Sequence, residues 1–110
     1  MIQNRIEELE QKIAGTPVVN EETRVELLKL VSELKREITN LSQGQSEQAQ
    51  SIAGFAAVTA HEAVREEQDP QLLRLSTEGL QASVRGFENT HPGLVDAVNA
   101  FCRMLSNLGI

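Results

Sequence analysis

The sequence has few aromatic residues and few cysteines. Its 110 residues include three phenylalanines, no tyrosine, no tryptophan and a single cysteine, Cys102. Because base-stacking platforms need aromatic surface, this shortage argues against a nucleic-acid-binding protein. One cysteine cannot form an internal disulfide, which fits a reducing compartment. The sequence also shows no glycine pattern for binding nucleotides and no convincing strand pattern.

An excess of positive charge and long apolar runs are missing as well. The 16 acidic and 10 basic residues give a net charge of −6 and are interspersed, so there is no basic patch for nucleic acid. No apolar run is long enough to span a bilayer. Residues 1–8 soon become acidic and lack the apolar core of a signal peptide. We therefore expect a cytoplasmic protein with no membrane partner, folded as one helical domain over 1–110.

What the sequence does contain is one apolar stripe with alternating steps of four and three residues through its last third. The stripe consists of Leu73, Thr77, Leu80, Val84, Phe87, His91, Leu94, Val98, Phe101, Leu105 and Leu108. Such spacing places every member on one side of an α-helix, as in the seam of a coiled coil or a helical bundle.

Helix-capping and helix-breaking residues divide the chain into five predicted helices, at about 2–14, 21–41, 46–67, 70–87 and 92–107. Gly15 and Pro17 end the first helix. Asn20 suits the N-cap of the second helix. Asp69, followed by a proline at the first helical position, starts the fourth. Pro92 either restarts or kinks the last helix.

The segment 42–51 permits two interpretations. The spacing of apolar and polar residues runs through it unbroken, which would allow one helix over 21–67, about 70 Å long. Alternatively, the segment is a turn, since Gly44 costs about 1 kcal/mol relative to alanine in a helix and Ser42 can cap a new one. We favour the break.

Three further apolar faces are predicted to be buried. The first two helices present Ile2, Ile6, Leu9 and Ile13, and Leu27, Leu30, Val31, Leu34, Ile38 and Leu41. The third helix is rich in alanine, which lets a neighbouring helix approach closely; its alanines are Ala49, Ala53, Ala56, Ala57, Ala60 and Ala63. We predict an all-α fold: a four- or five-helix antiparallel bundle, or an elongated helical hairpin, with coiled-coil-like seams.

Two sequence patterns resemble metal sites but are incomplete. His61 and Glu62 begin a zincin-like pattern, but Arg65 stands where the second histidine ligand would be. Glu88 and His91 have the Glu-x-x-His spacing of di-iron bundles, which need two such pairs and two more glutamates. We instead expect His61 and Glu62 on a partly exposed face, and His91 as the N-cap of the last helix, its imidazole accepting a backbone amide.

The remaining reactive groups do not define a catalytic set. Cys102 would need a neighbouring base and a positive environment to act as a nucleophile, and its position beside the apolar stripe favours a buried thiol. The glutamates alternate with basic residues at helical spacing, as in Glu8/Lys12 and Arg74/Glu78, which is typical of a solvated face. The sequence therefore assigns no catalytic, cofactor-binding or metal-binding residue.

Both ends of the chain resemble a family of short bacterial proteins known only as a domain of unknown function. Residues 87–94 match its F-E-x-x-H-P-x-L element, and residues 105–110 match its C-terminal L-x-x-L-G-I. The opening also resembles that of the family, with a Thr16–Pro17 turn and a second helix that starts near the acidic pair Glu21–Glu22. The resemblance implies no activity.

Two hypotheses of function follow. The first is a non-catalytic interaction module, structural or regulatory, that self-associates as a dimer through its second or third helix and uses no cofactor. The alternative is a metal-binding or enzymatic bundle that uses His61, Glu62, Glu88 and His91. Attachment to a membrane surface through the last helix is disfavoured because Arg103 is its single cation.

Overall fold

Local start signals, followed by apolar faces of helical period, organise the chain into five α-helices. The computed structural model describes the backbone of residues 2–41 and 43–108, and the side chains of 5–41 and 44–108. The helices are α1 (Ile2–Gly15), α2 (Glu21–Thr39), α3 (Ser46–Ala63), α4 (Pro70–Ser83) and α5 (Pro92–Leu108). The all-α prediction is confirmed.

Two of the predicted N-caps, Asn20 and Asp69, are confirmed atom by atom. Asn20 Oδ1 accepts the backbone N–H of Thr23 at 2.8 Å. Asp69 Oδ1 accepts the N–H groups of Gln71 and Leu72 at 3.0 and 3.3 Å, and a proline is the first residue of α4. These bonds satisfy amide groups that have no partner inside the first turn of a helix.

The predicted break between the second and third helices is confirmed. The α2 helix ends at Thr39, and the C-cap Asn40 donates its N–H to the Arg36 carbonyl at 3.1 Å. A short 3-10 turn, Gln43–Gln45, then precedes α3. One continuous helix over 21–67 is therefore excluded. Ser42 lies outside the described residues, so its capping role stays a prediction.

Three helices are shorter than predicted. The second ends at Thr39, where Asn40 caps it, rather than at residue 41. The third ends at Ala63 rather than residue 67, because acidic residues at 66 and 67 would be repelled by the negative end of the helix dipole and Gln68 caps the Ala63 carbonyl at 2.5 Å. The fourth ends at Ser83 rather than residue 87. There Gly86 takes φ +97°, a left-handed conformation that ends a helix and favours glycine.

The alanine-rich α3 lies at the centre of the bundle. It contacts all four other helices, while α1 packs against α2, and α5 packs against both α2 and α4. The molecule measures 38 × 24 × 22 Å, so it is a bundle and not an elongated hairpin. Small side chains explain the central position, because they let several helix backbones approach one helix closely.

The predicted apolar faces form the core. Its buried residues include Ile6, Leu9 and Ile13 of α1, Leu27, Val31, Leu34 and Ile38 of α2, and Ala49, Ala53, Ala56, Ala60 and Ala63 of α3. Leu30 and Leu41 are only partly buried, Ala57 is partly exposed, and the Ile2 side chain lies outside the described residues. Most of the long C-terminal stripe is buried too, with His91 and Leu108 only partly buried, but it belongs to two helices, with Val84 and Phe87 in the turn between them.

One arginine holds the α1–α2 connection. The Arg24 guanidinium donates to the carbonyls of Ile13, Ala14 and Val19 at 2.7, 2.8 and 3.2 Å, and its Nε bonds Glu21 at 2.9 Å. It thereby satisfies carbonyls at the end of α1 that have no helical partner, and its positive charge suits that end of the helix dipole.

Candidate functional site

The first candidate pair, His61 and Glu62, lies at the C-terminal end of α3 and is engaged in local contacts. His61 is exposed, and its Nδ1 lies 2.7 Å from Nζ of Lys12 on α1. Glu62 accepts from Arg65 Nη1 at 2.8 Å, and this bond raises the pKa of Arg65 above its ordinary value. The two side chains therefore contact different cationic partners, and Arg65, in place of the second histidine ligand, is bonded to Glu62.

The second candidate pair, Glu88 and His91, belongs to the turn between α4 and α5. Glu88 Oε2 accepts the backbone N–H of Gly86 at 2.7 Å, which fixes the turn. His91 comes directly before α5, and its carbonyl accepts the N–H of Leu94 at 3.1 Å, so its backbone holds the predicted N-cap position. Each residue of the pair therefore has a role within this turn.

The imidazole of His91 does not make the predicted capping hydrogen bond. Its Nδ1 bonds the Thr90 hydroxyl at 3.0 Å, where a backbone amide of α5 had been expected. Its ring also meets the Phe87 ring edge to face, with centroids 5.4 Å apart and planes at 85°. The reason is that residues 87–91 turn back on themselves, with the His91 N–H bonded to the Phe87 carbonyl at 2.8 Å. The histidine thus fastens the turn to a buried phenylalanine.

The two candidate pairs lie at opposite ends of the bundle. Gln68 bonds both the Ala63 carbonyl at the end of α3 and the Leu108 carbonyl at the end of α5. His61 is therefore near the C-terminal end of α5, whereas His91 precedes its N-terminal end, about 25 Å away along 17 residues. Within the residues that the structure describes, no three His, Cys, Asp or Glu side chains form a group suited to a metal ion.

Cys102 is a core residue. It is 1% exposed, and its Sγ lies 3.9 Å from the Thr77 carbonyl, a weak hydrogen bond. Burial raises the pKa of the thiol to about 12, so it stays protonated near neutral pH. Since the thiolate is the nucleophilic form, this environment is that of an inert structural cysteine.

An apolar surface on α3 and α4 is the feature that sequence reasoning missed. Phe55 and Val58 on α3 are 41% and 48% exposed, and Leu72 and Leu75 on α4 are 42% and 52% exposed. The two helices are joined by a short connection and run antiparallel. We call these four residues, with Gly54 and Gly79, the α3–α4 face.

Contacts between the two helices make this face continuous. A Cβ placed on Gly79 would lie 2.6 Å from Cε1 of Phe55, so the phenyl ring lies directly against the glycine backbone. Leu72, Leu75 and Gly79 follow one another at helical steps of three and four residues, which places both leucines on the side where the ring lies. The ring therefore bridges the apolar surfaces of the two helices.

A groove runs along the α1 side of this face. It is lined by Arg5, Glu47, Gln50, Ser51, Gly54, Phe55 and Val58. Gly54 lies at its centre, and a Cβ there would approach Arg5 Nη1 to 3.6 Å. The face thus has a raised apolar ridge with a shallow, small-residue recess beside it. Helical spacing does not mark this face in the sequence, because Phe55 shares its spacing with the buried Ile52 and Thr59.

Comparison with known proteins identifies no relative. No protein-family model matches the chain, and no curated protein or solved structure is significantly similar to it. The resemblance to the bacterial family of unknown function therefore stays a prediction, and Gly109 and Ile110 of its terminal motif lie outside the described residues. Among the described helices, none has the combination of length and apolarity that crossing a bilayer requires.

Proposed function

We propose that this chain is a non-catalytic, cytoplasmic helical module that acts by self-association, with a structural or regulatory role. The observation that carries the proposal is the α3–α4 face, which exposes four large apolar side chains on one side of the bundle. Contiguous exposed apolar surface of this kind marks protein–protein contact sites, whereas scattered single residues do not.

The distribution of reactive groups supports the same proposal. His61 and His91 lie at opposite ends of the bundle, Cys102 is buried and protonated, and Glu88 is bonded to backbone. An active site needs a nucleophile or a general base within hydrogen-bond reach of its partners. His61 and Lys12 are the described pair that lies within such reach at a groove, 2.7 Å apart, and they belong to the second candidate function below.

Self-association is tested by the mass of the purified chain in solution. Light scattering coupled to size-exclusion chromatography, run at micromolar concentration, should give twice the 12.1 kDa of one chain. Two-fold dimers are the commonest homo-oligomers, so this is the expected state. A mass of 12.1 kDa that persists at the highest attainable concentration would contradict the proposal.

The second candidate function, a metal-binding or enzymatic bundle, rests on His61, Glu62, Glu88 and His91. Elemental analysis of the purified chain separates the two candidates. We expect no stoichiometric zinc, iron or manganese. One metal ion per chain that is lost in a His61→Ala or His91→Ala variant would favour the metal-binding candidate instead.

A further inference from the structure

We infer that the α3–α4 face is occupied by a second copy of this chain, docked face to face about a two-fold axis that crosses α3 and α4. The inference rests on the proposed self-association and specifies which surface carries it. The size of the face, its shape and the charges at its borders each support it.

The size of the face suits a small dimer interface. The 18 residues of α3 and 14 residues of α4 correspond to about 27 and 21 Å of helix. Two such helices packed about 10 Å apart present a face of roughly 500 Å² in projection, and their side-chain ridges enlarge its accessible area. Two copies would bury about 1,000 Å² in total, which is the low end for a specific protein–protein contact and fits a concentration-dependent dimer.

The shape of the face is self-complementary. A two-fold interface uses the same patch on both copies, so the patch must hold both a projection and a recess that accepts it. Phe55 and Val58 form the ridge, and the adjoining groove around Gly54 and Ser51 forms the recess. Rotation by 180° places the ridge of one copy over the recess of the other.

The charges at the borders of the face also favour a second copy. Arg5 and Glu47 lie at one end, and Glu62 and Arg65 form an ion pair at the other. A two-fold axis between the ends brings each end opposite the other end of the partner. The second end also carries the exposed Glu66, Glu67 and Asp69 of the α3–α4 connection, so it is acidic, and the axis places it opposite the partner's end with Arg5 instead of opposite the partner's own acidic end.

The outer edge of α4 carries one charge of each sign, with Arg74 Nε 3.8 Å from Glu78 Oε1. The whole chain carries −6, so two copies repel each other over most orientations. The borders of the α3–α4 face carry Arg5, Arg65 and Arg74 together with Glu47, Glu62, Glu66, Glu67, Asp69 and Glu78, so they are acidic overall. The two-fold orientation reduces that repulsion because it keeps the acidic α3–α4 connections of the two copies at opposite ends of the interface.

Single lysine substitutions test the assignment of the face. Val58→Lys and Leu75→Lys each place a charge at the centre of the face, on side chains already exposed enough to leave the fold intact. The matched control is Val25→Lys, because Val25 is 62% exposed on α2, which does not contact α4 within the described residues. In sedimentation velocity, the two face variants should have the mass of one chain, and the control should remain a dimer.

Disulfide crosslinking provides a second measurement that does not disrupt the face. Cys102 is buried, so the wild-type chain should form no intermolecular disulfide under mild oxidation. Val58→Cys places a thiol near the proposed axis and should give a covalent dimer, whereas Val25→Cys should not. Circular dichroism of each variant checks that the helices are retained.

These measurements distinguish a failure of the proposed self-association from a failure of the assigned face. A wild-type chain that stays monomeric would overturn both the proposed function and the inference. A wild-type dimer that survives Val58→Lys and Leu75→Lys, or that crosslinks equally through Val25→Cys and Val58→Cys, would overturn the assignment of the face and leave self-association standing.

Discussion

At the scale of single residues, the bundle depends on side chains that satisfy backbone groups at the ends of its helices. Arg24 bonds three carbonyls around the α1–α2 connection, and Gln68 bonds the last carbonyls of two helices. Backbone groups left without partners in such partly buried places destabilise the folded state. These side chains therefore fix how helices meet, in addition to the apolar core.

Replacement of Arg24 with alanine should lower the free energy of unfolding by about 1.5–3 kcal/mol, the usual contribution of hydrogen bonds that involve a charged group. Arg24→Lys should recover only part of the loss, because an ammonium cannot reach three carbonyls in the geometry of a guanidinium. Urea denaturation measures both. Arg74→Ala is the control, since its side chain is 68% exposed in a loose ion pair, and it should cost less than about 0.5 kcal/mol.

His91 offers a test of ring packing against helix capping. The edge-to-face contact with Phe87 is worth about 0.5–1.5 kcal/mol, so His91→Ala should lower stability by that amount. His91→Phe keeps a ring and should retain most of the stability. His91→Asn provides a good N-cap without a ring and should not retain the stability of the wild-type chain. If thermal melts showed that His91→Asn retains the stability and that His91→Phe loses it, the capping role would be correct.

Cys102 gives the folded state a dependence on alkaline pH. Burial raises the pKa of its thiol from 9.0 to about 12, so between these values the folded chain holds a proton that the unfolded chain has released. Stability therefore falls as the pH rises through this range. The stability of Cys102→Ala should fall less, and the difference between the two proteins should shrink above about pH 9. A difference that does not change with pH would contradict this role of the buried thiol.

At the scale of helices, the ends of elements decide the topology. The left-handed Gly86 ends α4 at Ser83, and residues 84–91 then bring Phe87 into the core from a turn. A longer α4 would carry the chain past this position. The F-E-x-x-H-P element is therefore a compact connection in which Phe87, Glu88 and His91 each have a local structural role.

Gly86→Ala should cost about 1–2 kcal/mol, because an L side chain is strained at φ +97° even though no atom lies near the added Cβ. Gly15→Ala is the matched control. It also has open space around the added Cβ, but its φ lies outside the left-handed range, so it should be neutral or stabilising by up to about 1 kcal/mol. Equal effects of both substitutions in denaturant melts would rule out conformational strain at Gly86.

Sequence reasoning succeeded where the signal is local. Asn20 and Asp69 are capping residues that act within their own first turn, so their role is readable from type and position. The conformation of Gly86 is different, because it depends on where Phe87 must go in the finished core. The exposure of Phe55 also cannot be predicted from the sequence. Phe55 shares its helical spacing with the buried Ile52 and Thr59, yet its side chain is exposed, and only the positions of neighbouring helices decide this.

At the scale of the whole molecule, one surface differs from the rest. The five helices bury one continuous core around α3, and the α3–α4 face adds exposed apolar side chains on one side. The proposed self-association rests on that face. We therefore predict that the behaviour of this protein depends on its own concentration.

The central claim, that this chain associates with itself through the α3–α4 face, is tested most directly by a dilution series of ¹H–¹⁵N NMR spectra of the wild-type protein. We expect amide signals of residues around Phe55, Val58, Leu75 and Gly79 to shift or broaden with concentration, while those around Val25 on α2 stay unchanged. Spectra that do not depend on concentration in a protein with the mass of one chain, or shifts centred on α2, would contradict the account.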